Sequence, residues 1–120
     1  MAPDLFYYGG NMPFFYNAKD RKAKEIVKGG RIRSFWGKNT LLSYVDIDPN
    51  VEVPRHTHTQ EQSGIMLEGK MEMGIGDEVR VLSPGDMYII PPGVEHYAKT
   101  SSSKAKVLDI FAPVRDDYKY

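Results

Sequence analysis

The 120-residue chain contains no cysteine. Disulfide staples and thiolate metal sites are therefore excluded. No apolar run approaches the ~20 residues a helix needs to span a bilayer. The opening MAPDLFYYGG lacks the basic start and apolar core of a secretion signal. An excess of either charge is also missing, since sixteen Lys and Arg balance sixteen Asp and Glu. That balance gives no electrostatic reason to expect nucleic acid or an anionic membrane as partner. Histidine is scarce, with three in the chain. The expectation is a soluble, cytoplasmic, single-domain protein acting on a small molecule.

What the chain has is aromatic residues early and turn signals throughout. Phe6, Tyr7, Tyr8, Phe14, Phe15 and Tyr16 crowd the start, with Gly9 and Gly10 breaking any long helix. This arm either covers one end of the core or packs on a partner subunit, where aromatics are enriched. Residues 18–28 are highly charged and form either a solvated segment or a short helix capped by Asn17. From Gly29 onward the pattern is that of strands. Arg31 to Trp36 alternates, Leu41 to Ile47 follows, and Asp48-Pro49-Asn50 turns. Gly64 to Leu67, Met71 to Ile75, Glu78 to Leu82, Met87 to Ile90 and Lys106 to Phe111 complete the series, with a tight hairpin at Gly76-Asp77. Short strands at this spacing imply an all-β sandwich or barrel. The expected organisation is an arm over 1–28, a barrel over 29–115 and a tail over 116–120. Gly74-Ile75-Gly76 opens no helix, which rules against a nucleotide-binding glycine loop.

All three histidines fall in two segments. His56 and His58 sit two apart, a spacing that puts both on one face of a strand. His96 follows the turn Pro91-Pro92-Gly93, which can aim it at the same point. Imidazole suits zinc, copper, iron and nickel. The last strand carries a second signal. Alternation puts Val107, Asp109 and Phe111 on one face, and a carboxylate between two apolar neighbours is costly unless it is paired or functional. Asp109 is the candidate general acid or base. Arg115 is either a surface cation or a bidentate clamp on a substrate carboxylate. Gln60 and Arg55 flank the histidines and are within reach of a substrate. Tyr44, Met66, Met71, Met73 and Tyr88 have inward spacing, for which core packing is the ordinary role.

The spacing of these groups resembles the cupins. His56-Thr57-His58, then Gln62, six residues and Gly69 follow the first cupin motif. Gly85, five residues, Pro91-Pro92-Gly93, two residues and His96 follow the second. The resemblance covers about residues 40–112 and implies a double-stranded β-helix barrel of jelly-roll type, commonly a homodimer. The chain departs from the pattern at three positions. Asn50 replaces the opening glycine, Thr100 the closing asparagine, and Gln62 the usual glutamate ligand. Glu61 alternates to the opposite face, which leaves Gln62 in the ligand position.

The segment Asp109-x-Phe111-x3-Arg115 is further similar to the tail of small cupins that linearise unsaturated uronates from pectin and alginate. That resemblance implies one divalent transition metal (Zn, Mn, Fe or Ni) on His56, His58, Gln62 and His96. It makes Asp109 and Arg115 catalytic, and it places Phe111 in the pocket wall; Gln60 and Tyr88 are the further substrate-binding candidates. The leading expectation is a metal-dependent lyase or isomerase on a small sugar acid or similar oxygen-rich acid. A metal-dependent dioxygenase and a non-catalytic small-molecule-binding barrel are the alternatives.

Overall fold

The computed structural model describes residues 14–120. Phe6, Tyr7 and Tyr8 of the expected arm lie outside the described residues. Just after them, Phe14 and Phe15 are exposed, and the Tyr16 ring rests 4.9 Å from that of Phe35. The segment after Asn17 is neither wholly solvated nor one helix. Asn17 accepts from the Lys19 N–H and caps a single 3-10 turn, Ala18–Asp20. The chain then extends into a strand, β1 (Lys24–Val27). The sheet thus begins before residue 29, because Ile26 packs on the core and the segment pairs with β2 instead of staying in solvent.

Nine further strands follow: β2 (Gly30–Trp36), β3 (Leu41–Ile47), β4 (Glu52–His56), β5 (Glu61–Gly69), β6 (Met71–Ile75), β7 (Glu78–Leu82), β8 (Met87–Ile90), β9 (His96–Lys99) and β10 (Ala105–Ala112). They form two antiparallel sheets. The larger runs β1-β2-β3-β10-β5-β8 and the smaller β4-β9-β6-β7. No α-helix occurs among the described residues. The strict alternation of burial along β2 and β3 places one apolar face inside, as a two-layer all-β fold requires. Asn50 stands at φ 57°, so it adopts the left-handed turn for which the opening glycine would otherwise serve. Thr100 ties the same turn shut, accepting from the Val51 N–H at 3.1 Å and donating to the Asp48 carbonyl at 2.5 Å.

Register stacks the inward residues of the larger sheet in layers. Trp36, Leu41, Phe111, Gln62 and Ile90 form one layer. Ser34, Ser43, Asp109, Gly64 and Tyr88 form the next. Ile32, Val45, Val107 and Met66 close the interior beneath. On the smaller sheet His56, His96 and Ile75 lie side by side, with Val53, Ala98 and Met73 in the next layer. The layering depends on a bulge. Lys106 faces Glu68, but Val107 faces Met66, so Leu67 is skipped. Without that extra residue Asp109 would oppose Ile65, and β5 would turn Gly64 and Gln62 away from the interior.

Candidate metal centre

His56 closes β4, while His58 lies beyond it in the loop before β5. The two therefore do not share a strand face, as their spacing alone suggests. The loop bends His58 back, and β9 brings His96 opposite His56. One ring nitrogen from each of the three histidines falls within 4.8 Å of the others. Each ring is fixed by its own neighbourhood. Nδ1 of His56 bonds the Pro54 carbonyl at 2.7 Å, Nδ1 of His58 that of Gln60 at 2.9 Å, and Nδ1 of His96 that of Val94 at 2.9 Å. A carbonyl only accepts, so every Nδ1 carries the proton and every Nε2 presents a lone pair.

Two observations test whether these residues suit a cation. Nε2 of His96 is buried with no hydrogen-bond partner among the described residues, and such an orphan costs free energy unless something binds it. Nε2 of His58 lies 2.9 Å from Oε1 of Gln62. The Gln62 amide nitrogen is committed to Asp109, so that contact sets two acceptors against each other. A positive ion accepted by both resolves the conflict, and neutral imidazoles with an amide oxygen suit a divalent transition metal. Burial pushes His96 down to about 4, with the neighbouring imidazoles and Arg115 adding to the effect. Burial lowers His56 in the same direction. Both rings are neutral at pH 7, the state a metal needs.

Asp109 lies on the wall of the same cavity, buried in the layer of small and polar side chains. Tyr88 donates its hydroxyl proton to Oδ1 of Asp109 at 2.5 Å. Burial raises the Asp109 carboxyl to about 6, and the bonds from Tyr88 and Gln62 and the charge of Arg115 pull against that rise. Gly64 makes the arrangement possible. A Cβ there would overlap both the Tyr88 ring and the Asp109 carboxylate. Ser43, on β3 directly opposite Asp109, is fully buried and its Oγ has no partner among the described residues. Ser34 on the next strand donates to the Tyr118 carbonyl at 2.5 Å.

Arg115 stands at the mouth. Nε binds Asp117 at 2.9 Å, and the guanidinium lies 3.9 Å from the Tyr118 ring centre and 5.2 Å from that of Phe111. The structure thus gathers His56, His58, His96, Gln62, Asp109, Tyr88, Phe111 and Arg115 around one centre. Gln60 stands apart from them. Its carbonyl orients His58, and its side chain does not line the cavity. Tyr88 lines the cavity and its hydroxyl is spent on Asp109. Tyr44 faces outward, opposite Leu108, with Lys106 5.8 Å from its ring centre. Met66, Met71 and Met73 are core. Sequence reasoning missed Gly64, Ser34, Ser43 and Tyr118. Serines in phase with the apolar residues of β2 and β3 were the available signal for two of them.

Comparison with known proteins agrees with this architecture. The cupin-domain family profile matches residues 43–111. A germin-like protein (subfamily T member 3) of Arabidopsis thaliana is 29% identical over 121 residues, covering 92% of this chain and 52% of that protein. The H2HPP isomerase of Bacillus subtilis is 35% identical over 65 residues, which is 53% of this chain and 27% of the enzyme. The chain spans about half the length, or less, of these curated relatives. Among solved structures, KdgF from Halomonas sp. superposes with a TM-score of 0.80 at 26% identity, covering 86% of this chain and 96% of KdgF. With more than half of the sequence matched to the family and its histidines gathered inside a two-sheet barrel, this chain belongs to the cupins.

Proposed function

We propose that this cupin is a metal-dependent enzyme that moves a proton on a small oxygen-bearing acid, as a lyase or isomerase does. The observation that carries the reading is a buried carboxylate on the wall of the cavity that also holds the histidines. Asp109 is held by donors and is not needed as a ligand, so it is available to exchange a proton with a bound substrate. His56, His58, His96 and Gln62 would hold a divalent metal, which supplies Lewis acidity toward a carbonyl or enol oxygen when bound.

The remaining parts have defined tasks. Tyr88 and Gln62 each donate to Asp109 and fix the direction of its free lone pairs. Tyr118 and Phe111 stack on Arg115 and set the plane of its guanidinium. Among the described residues its two terminal amino groups have no hydrogen-bond partner, so a substrate carboxylate can take both. Phe111 and the apolar wall from Val53, Met73 and Ala98 keep water from the reacting face.

The name of the Bacillus subtilis relative supports the reaction class. The tail motif Asp109-x-Phe111-x3-Arg115 makes an unsaturated uronate the first substrate to try. The test is turnover of unsaturated galacturonate, and solvent deuterium uptake into it, by zinc-loaded protein without oxygen. Both should exceed the spontaneous rate, and Asp109→Ala should reduce them by at least about 100-fold. Full activity in Asp109→Ala removes the proton role. A strict need for iron and oxygen favours the dioxygenase reading instead.

A further inference from the structure

Outside the metal centre the cavity opens into a vestibule of about 470 Å3. Its charged lining is unbalanced, with Lys24 from β1, Arg55 from β4 and Arg115 facing a single acid, Asp117. The Asp117 carboxylate is already taken by Nε of Arg115. Lys24 and Arg55 have no carboxylate partner among the described residues. Nζ of Lys24 donates to the Asp117 carbonyl at 3.0 Å and lies 5.9 Å from the centre of the Tyr120 ring. Arg55 reaches the Gly76 carbonyl at 3.4 Å and lies 5.0 Å from the centre of the Tyr97 ring. Each of those contacts orients the cation and leaves its charge uncompensated. In a chain of zero net charge, three cations around one opening are a local feature and not a general basicity.

We infer that this vestibule is a second anion subsite, so that the preferred substrate carries a second anionic group beyond the one carboxylate of a simple unsaturated uronate. One carboxylate sits on the free edge of Arg115, beside the metal centre. The second group, a carboxylate or a phosphate, is held at the mouth by Lys24 and Arg55. The inference rests on Arg115 acting as the inner clamp, as proposed above. Two features support a subsite over general attraction. His56, Arg115 and Tyr118 line both the cavity and the vestibule, so one ligand can touch both. The cations also come from separate elements, β1, β4 and the segment after β10, and the fold brings them to a single rim. A monoanion would leave Lys24 and Arg55 unpaired, whereas a dianion satisfies all three cations.

The test compares two five-carbon acids on the zinc-loaded protein by titration calorimetry. 2-Oxovalerate carries one carboxylate, and 2-oxoglutarate carries a second at the far end of the same skeleton. The expected result is about tenfold tighter binding of 2-oxoglutarate at low salt. The preference should shrink as ionic strength rises toward about 0.3 M. It should collapse to about one in the double variant K24A/R55A and survive in K24R/R55K, which keeps both charges. 2-Oxo-4-phosphonobutanoate keeps the 2-oxo acid and carries a phosphonate in place of the far carboxylate, and it should bind at least as tightly as 2-oxoglutarate where the subsite takes a phosphoryl group. A ratio near one in the wild-type protein, or an undiminished ratio in K24A/R55A, overturns the subsite and leaves the proposed reaction standing. Binding of neither acid overturns the subsite and the Arg115 clamp together.

Discussion

The histidines and Asp109 share a cavity but are held in place by different means. Each histidine takes its orientation from a backbone carbonyl two residues away, at Pro54, Gln60 or Val94. A short stretch of chain therefore fixes the tautomer, and folding has only to bring two such stretches together. Asp109 has no local support of that kind. Tyr88 comes from β8, Gly64 from β5 and Ser43 from β3, and the chain must form the whole sheet in one register before the carboxylate has a cradle. The histidine cluster should therefore tolerate disturbance within the larger sheet, while the setting of Asp109 should not.

The largest expected effect breaks the local device. His96→Ala removes a proposed ligand and the group with the orphaned nitrogen, and zinc affinity should fall by on the order of 100-fold or more. Competition against a chelating dye measures it, and the far-ultraviolet circular dichroism should stay that of the folded protein. An unchanged zinc affinity would remove His96 from the metal set.

Next comes the long-range device. Gly64→Ala places a methyl group against Tyr88 and Asp109, and overpacking of this kind costs about 3 kcal/mol. Urea denaturation of the metal-free protein should show the loss, and zinc affinity should change far less than in His96→Ala. Equal damage to zinc binding in the two variants would show that the two devices are not separable.

The smallest effect is read from pH. Burial raises Asp109 from 3.8 to about 6, so its contribution to stability is full below 3.8 and is lost as pH rises through 6. His96 has the opposite sign. Its value is lowered from 6.5 to about 4, so its contribution is full above 6.5 and is lost as pH falls through 4. In the metal-free protein the two slopes oppose each other between roughly 4 and 6. Asp109→Asn keeps an acceptor for Tyr88 and removes one slope. A shift of about two units corresponds to ~3 kcal/mol. Less the weaker bond from Tyr88 to a neutral amide, the variant should gain about 2 kcal/mol at pH 8. Below pH 6 it should lose stability on acidification more steeply than the wild type. Parallel profiles for the two proteins would show that Asp109 is not buried as a titrating group.

The comparison explains which parts of the site were legible early. The histidine spacing, the turn at Pro91-Pro92-Gly93 and the alternation of Val107, Asp109 and Phe111 are short-range patterns, and each marks a residue that the structure does place at the centre. β1 was missed because Ile26 and Val27 are too few among charges to show a period, and tertiary packing alone makes them a strand. The face shared by His56 and His58 was misassigned because β4 ends at His56. The carbonyl of Gln60, which orients His58, gave no signal in the side-chain pattern.

By itself, the sequence determined an all-β chain, the three imidazoles, the in-phase Asp109 and the amide at position 62, because turns and alternation are set by neighbouring residues. Only the tertiary structure decided that Gln62 faces both His58 and Asp109, that Gly64 opens room for Tyr88, and that Lys24 and Arg55 meet Arg115 at one rim. Those juxtapositions depend on strand order and on the skipped Leu67 in β5. A one-residue slip there would leave every local pattern intact and turn the other face of β5 inward.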